Sequence, residues 1–372
     1  MHFDFTPDQQ ELRSLARKFL ADTSPESAVH RVVDSDLGCD RDLWRRMGRE
    51  LGLPGLAIPE GYGGAGQGLI EVGAVAEELG RTLACVPFLS STMATLTLLA
   101  ADDEPARQRY LPGLAAGDLV ATVALTEQDG SWDPRAVTTS ARMTTTGWRL
   151  DGRKSFVLDG HVADVILVVA RVGARVQVFC IDANGPGVSR KQLNTLDRTR
   201  RQASVHLDDA PATLLTPGPD AAALIDGILD RAVAVLAAEQ VGVAERALEI
   251  SVEYAKIRHQ FGRPIGSFQA IKHQLADVLL GVESARVAAY QALLQLGPAS
   301  GERAGSAAAS LAKAHCSEMC LAATERMIQI HGGIGFTWEH SAHLYFKRAR
   351  STAQLFGDAA HHRERLARAI GL

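Results

Sequence analysis

The chain has 372 residues, 46% of them apolar, enough for two or three domains with substantial cores. A net charge of −4 gives no electrostatic reason to expect nucleic acid or an anionic membrane as a partner. No run approaches the ~18 apolar residues of a membrane helix, and the charged start MHFDFTPDQQELRSLARKFLAD lacks the apolar core of a signal peptide, so the expectation is a soluble, cytoplasmic protein.

Residues 1 to about 115 read as helices. Thr6-Pro7 with Asp8 signals the start of the first, a second covers Asp40 to Leu51, and a third runs from Gly68 to about Leu83. Between the last two, Ile58-Pro59-Glu60-Gly61-Tyr62-Gly63-Gly64-Ala65-Gly66 is too rich in glycine for a helix or strand and reads as a turn-rich loop. From Leu119 to about Leu215 the texture changes to short β-branched runs: LVATVAL, RAVTTSARM, GWRLDGRKSFVL, ADVILVVARV, RVQVFCID and ASVHLDD. Asp/Gly/Asn turns separate them, the pattern of an antiparallel β domain, with Asp151-Gly152 as a hairpin-type turn.

The remainder is mostly helical. Val235, Ala238, Val241, Leu248, Val252 and Ala255 recur at helical spacing in a long helix that ends near Arg258. A Gly/Pro turn, Phe261 to Gly266, follows, and Ser267 is placed to cap the next helix. Two long helices with a short link imply an antiparallel pair within a bundle. A further helix ends on His331-Gly332-Gly333-Ile334-Gly335. Three glycines in four residues imply a close approach to the backbone, by another chain or a ligand phosphate. No Gly-Lys-Ser/Thr follows, so this is not a P-loop. Five scattered cysteines, odd in number, argue for reduced thiols, and Cys316 and Cys320 beside His315 lack a fourth ligand at a usual spacing, so no metal site is expected. The fold class is α+β: helical residues 1–117, a β-barrel over 118–217 and a helical bundle over 218–372.

The segment RHQFGRPIGSFQAIKHQLAD, from Arg258 to Asp277, closely resembles a signature of the acyl-CoA dehydrogenase family, and QIHGGIGFT and the Pro-Glu-x-Tyr-Gly-Gly loop extend the resemblance. It implies the same helical, β, four-helix-bundle order. It also implies FAD as cofactor, an acyl-CoA substrate, an electron-transfer flavoprotein as acceptor, and assembly with itself or a paralogous subunit as a dimer or tetramer. Arg258, Phe261 and Gln269 would reach the flavin of a neighbouring subunit, and Gln329, Gly332 and Gly333 its diphosphate and adenosine part. Leu125-Thr126-Glu127-Gln128-Asp129-Gly130-Ser131 resembles the family's strand-end segment, one residue shorter and with Gln128 where proline is usual, which gives Leu125, Thr126 and Ser131 cofactor roles. Phe156 takes the place of the aromatic stacked on the ring, and Leu158 stands where a flavin-bonding hydroxyl is usual.

Dehydrogenation also needs a carboxylate that removes a proton alpha to the thioester. Relatives carry it just before a glycine in STAQLFGDAAHHRERL, where this chain has Phe356, or near the start of the long helix, where it has Ala232. Glu239 lies two turns after Ala232 on the same face of an apolar run, and is either paired or a desolvated base. Asp230 lies on roughly the opposite face, and Asp358 is placed to cap the final helix. The chain is thus read as a complete dehydrogenase with a relocated base, or as a half-site subunit of a heteromeric enzyme such as those acting on steroid side-chain CoA esters. A flavin-free scaffold and a flavin oxidase of the same fold are the alternatives.

Overall fold

Thr6 opens the first helix with its hydroxyl accepting from the Gln9 N–H while the Gln9 side chain accepts from the Thr6 N–H, a reciprocal cap with Pro7 at the first helical position. In this computed structural model, residues 4–101, 103–216, 218–297 and 302–372 are described, with backbone alone at 302 and 303. Met1 to Phe3 and Pro217, the expected end of the β region, lie outside them. The first helices are α1 (Pro7–Thr23), α2 (Glu26–Asp34) and α3 (Arg41–Leu51), the last capped by Asp40. The glycine loop follows, then α4 (Leu69–Thr82), α5 (Phe88–Ala100) and α6 (Glu104–Ala115).

Seven strands form one sheet: β1 (Ala121–Ala124), β2 (Ser140–Thr144), β3 (Gly147–Leu158), β4 (Val165–Val172), β5 (Arg175–Asp182), β6 (Val188–Gln192) and β7 (Gln202–Leu214). The order β4-β2-β3-β7-β5 closes on itself because β5 pairs back to β4, giving the expected barrel, with β6 added on β7. Most ladders are antiparallel; β1 runs parallel to β4. Asp151-Gly152 is not the hairpin turn. It sits inside β3 at a register shift against β7, while Thr145 and Thr146 turn the chain between β2 and β3. A bulge uses the same small residue with a positive φ as a tight turn, here +149° at Gly152, and a Cβ there would lie 2.7 Å from the Thr139 hydroxyl.

The long helix α7 spans Ala222–Ile257. Two short strands, β8 (His259–Gln260) and β9 (Arg263–Pro264), then form a hairpin whose two loop residues, Phe261 and Gly262, are both left-handed at φ +54° and +76°. The next helix, α8 (Gln269–Gln295), is not capped by Ser267. That residue lies in a 3₁₀ turn, and Phe268 stands at the cap position with no side-chain bond, its ring beneath the Arg263 guanidinium at 4.1 Å. The helix starts on the Phe268 carbonyl, which accepts from the Ile271 and Lys272 N–H groups, with no side-chain cap. The chain ends with α9 (Glu302–His331), α10 (Ala342–Gln354) and α11 (Ala359–Ile370). No helix among the described residues is long and apolar enough to cross a membrane.

Two compact units emerge. One comprises Met1–Arg31, Leu69–Ala84 and Val233–Leu372; the other comprises Val32–Gly68 and Cys85–Ala232 and contains the barrel. Within the first, α4 and α7 cross at backbone contact. A Cβ at Gly80 would lie 2.2 Å from the Glu239 carbonyl oxygen, and one at Gly242 would lie 1.8 Å from that of Glu77. Flanking the crossing, Arg13, Arg17, Arg81 and Arg286 interleave with Glu77, Glu78 and Glu245, and the Tyr290 hydroxyl donates to Glu77 at 2.6 Å. Glu77 and Glu78 are buried, and a buried carboxylate is costly unless it is paired and hydrogen-bonded in this way.

Candidate active site

In the barrel unit, the end of β1 and the middle of β3 hold one group of candidates. The Thr126 hydroxyl donates to the Ser155 carbonyl, and the Ser155 N–H returns a bond to the Thr126 carbonyl at 2.9 Å. Beneath them Lys154, fully buried, donates to the Leu125 carbonyl and to Glu127, each at 2.9 Å. Glu127 also accepts from the backbone and hydroxyl groups of Thr138 and Thr139. Burial alone would raise the Glu127 pKa, but the Thr138 hydroxyl, the Lys154 charge and the Thr139 N–H together pull it down to about 2. Burial lowers Lys154 to about 8 against the opposing pull of Glu127. The pair therefore carries both charges at neutral pH and ties the strand-end segment to β3.

Residue-by-residue reading missed this pair. A lysine inside the alternating run GWRLDGRKSFVL, on the inward side of the barrel, was the available signal. Above it Phe156 has a left-handed φ of +57° and a ring that is 40% exposed. A Cβ on Gly130 would come within 3.9 Å of that ring. Ser131 is half-buried and accepts from the Asp133 N–H at 3.2 Å. Leu158 is buried and offers no polar atom.

The other candidates lie in the helical unit. Arg258, Gln269 and Gln329 are exposed, and Phe261 is 90% exposed at the tip of its hairpin. Gly332, at φ +61°, and Gly333 open to free space, since a Cβ on either meets nothing within 4 Å. His331 anchors that turn, its ring stacked on Tyr254 at 4.3 Å and its Nδ1 bonded to the Met327 carbonyl at 2.7 Å. Burial lowers its pKa, which keeps the ring neutral. These residues turn outward from their own unit.

Both groups fit FAD. An exposed aromatic face beside Leu125 and Thr126 suits a flat ring, and a guanidinium, two amides and open glycine backbone suit a diphosphate.

The carboxylates are otherwise disposed. Glu239 on α7 is 4% exposed and accepts from Nη1 of Arg348, itself buried on α10, at 2.9 Å. Asp358 caps α11, accepting from the His361 N–H at 2.8 Å. Asp230 is buried on α7 and has interactions of its own. At the two places where relatives carry a base, Ala232 is fully buried, and Phe356 is 3% exposed with its carbonyl bonded to His362 at 3.0 Å.

Comparison with known proteins covers the whole chain. Family models for the acyl-CoA dehydrogenase N-terminal, middle and C-terminal domains match residues 6–118, 122–210 and 223–371. The acyl-CoA dehydrogenase IpdE2 of Mycolicibacterium smegmatis is 36% identical, the match spanning 93% of this chain and 95% of that protein. Among solved structures, a variant of the Tcur3481-Tcur3483 steroid ACAD is 36% identical with a TM-score of 0.89, over 98% of this chain and 97% of that one. The ChsE4-ChsE5 complex from Mycobacterium tuberculosis is 29% identical with a TM-score of 0.89, over 100% and 99%. Matches of this length and identity mean that the chain belongs to the acyl-CoA dehydrogenase family of flavoprotein oxidoreductases.

Proposed function

We propose that this chain is one subunit of a heteromeric, FAD-dependent acyl-CoA dehydrogenase that forms a trans-2-enoyl-CoA, with the alpha-proton base supplied by a paralogous subunit. One observation carries this reading: Glu239 is held by Arg348 within a buried ion pair. A base must present a free carboxylate oxygen to the substrate's alpha proton, whereas Glu239 is engaged with a buried guanidinium at 2.9 Å. The similarity to a steroid ACAD named for two components and to a two-component complex supports the heteromer, and points to a CoA ester with a bulky polycyclic acyl group.

FAD, when held at this site, would supply the acceptor for the hydride from the beta carbon. In this reading Leu125, Thr126 and Phe156 receive the ring, with Ser131 beside the diphosphate. Arg258, Phe261, Gln269, Gln329, Gly332 and Gly333 reach the diphosphate and adenosine of a flavin held mainly by the partner. The Glu127–Lys154 pair holds Leu125 and Phe156 in register, and electrons pass on to an electron-transfer flavoprotein.

The test is a visible spectrum of the chain alone, then co-expressed with a paralogous subunit from the same source, each titrated with acyl-CoAs including steroid side-chain esters. Flavin bleaching only in the co-expressed sample is expected. Bleaching with the chain alone, abolished by Glu239→Gln, would overturn the proposal and make Glu239 the base.

A further inference from the structure

A cavity of about 430 Å³ opens within the helical unit, between α1, α2, α4, α7 and α10, apart from every residue assigned to flavin or substrate above. Its size falls within the ~300–1,000 Å³ of small-molecule sites. One wall is apolar: Ala21, Val29, Leu83, Ile250 and Leu344. The other carries three guanidiniums, Arg17, Arg81 and Arg246, with the Tyr345 hydroxyl, which donates to the Arg81 carbonyl at 2.6 Å.

Three features of the polar wall point to an anion. First, α2 and α10 both begin there, at Ser24-Pro25-Glu26 and at Ser341, so two helix N-termini present positive ends to one space. Second, Ser24 and Ser341 are 5% and 4% exposed, and neither hydroxyl has a protein partner among the described residues. Ser341 holds the cap position of α10 without using its side chain to cap it. Both serines line the cavity, so their hydroxyls face its space and are free to bond a ligand there. Third, Arg17 gives Nε and Nη2 to Glu78, which leaves Nη1 without a protein acceptor among the described residues.

Two acids share the lining. Glu78 is already neutralised by Arg13, Arg17 and Arg81, and Glu26 turns outward toward His30, 56% exposed.

We propose that this cavity binds a small amphiphilic anion, a carboxylate or phosphate head on a short apolar body. The head lies between Ser24, Ser341 and the Arg17 and Arg246 guanidiniums, and the body against Val29, Ile250 and Leu344. Such a head accepts from the two hydroxyls and the guanidiniums together, which a neutral ligand does not do; the Ala342 N–H already donates to His340 Nδ1, and the Leu344 and Tyr345 N–H groups to the Ser341 carbonyl.

The full chain is titrated calorimetrically with hexanoate, hexyl phosphate and, as the uncharged counterpart, hexanol. Ser341→Val narrows the polar end without touching an ion pair, and Arg246→Met removes one guanidinium; thermal melting checks that each variant is folded. Saturable binding of hexanoate or hexyl phosphate, no binding of hexanol, and weakening by about tenfold or more in Ser341→Val are expected. Whichever anion binds identifies the head as carboxylate or phosphate. No binding of either anion, equal binding of hexanol, or binding unchanged in the folded variants overturns the proposal. Should Arg246→Met fail to fold, the Ser341→Val and hexanol comparisons decide alone.

Discussion

Glu239 shows how one residue can pose a question at one scale and have it answered at another. In the sequence it is an acid in the apolar run AVAVLAAEQVGVA, equally readable as a base or a bonded core residue. Its partner is 109 residues away, a separation that no periodicity spans. Because both members are buried, removing one leaves an uncompensated charge, which typically costs about 3–5 kcal/mol, whereas replacing both with apolar residues costs far less. Glu239→Leu and Arg348→Leu should each lower the melting temperature sharply, and the double variant should recover much of the loss. A double variant no more stable than either single one would mean that the pair is not acting as a unit. Glu127 makes a related prediction through pH. Its folded pKa of about 2 lies below the unfolded carboxylate value, so its stabilisation is complete above that unfolded value and is lost as pH falls toward 2. With allowance for solvent at its exposed edge, it contributes roughly 2 kcal/mol at neutral pH. Wild type should exceed Glu127→Gln in denaturant stability at pH 7, and the gap should narrow steadily below about pH 4.5. A gap independent of pH would show that Glu127 contributes by shape alone.

At the scale of the element, local chemistry was legible wherever one residue type had one structural use. Thr6 and Asp40 cap their helices, and the order of helical, β and helical segments follows from the switch between periods of 3.6 and 2. Where a residue serves two ends, sequence could not choose. Gly152 was as good for a bulge as for a turn, and Ser267 falls in a 3₁₀ turn one residue before the cap position, which Phe268 takes beneath the Arg263 guanidinium of the folded hairpin. The crossing of α4 and α7 belongs to the same class. Nothing in EELGR or QVGVA says that the two glycines face each other's helix. An added methyl at Gly242 meets a carbonyl oxygen in a fixed backbone, so the helices must separate or bend. Gly242→Ala should therefore destabilise by about 1–3 kcal/mol or more. Gly227, earlier in the same helix, offers a contrast. A Cβ there meets only the end of the Arg231 side chain, at 3.2 Å. Gly227→Ala should be neutral or stabilising, by up to about 1 kcal/mol, because alanine loses less freedom in a helix. Equal stabilisation at both positions in thermal melts would show that helix propensity, and not the close crossing, governs them.

For the whole molecule, the decisive quantity is the apolar surface that the helical unit leaves outside. Phe261 is 90% exposed, Phe336 81%, Ile257 73% and Leu280 71%. Isolated exposed side chains are ordinary, but Phe261 stands on a hairpin tip in a left-handed conformation that phenylalanine adopts at a cost, and such strain persists where it serves contact with something outside the fold. The same unit carries Arg258, Gln269, Gln329 and the open Gly332-Gly333 backbone turned outward, the surface that the proposed heteromer would use as its half of a composite site. A surface of this kind should make the chain's size in solution depend on its partner. By sedimentation velocity, the chain co-expressed with a paralogous subunit should run as one defined dimer or tetramer that carries flavin. Phe261→Ala should leave the melting temperature of the isolated chain nearly unchanged, since the ring buries little of itself there, while weakening both the assembly and its flavin retention. Phe336→Ala should do the same from the glycine turn. If both variants assembled and held flavin like wild type, the exposed rings would be surface features only, and the composite site would have to be sought on another face.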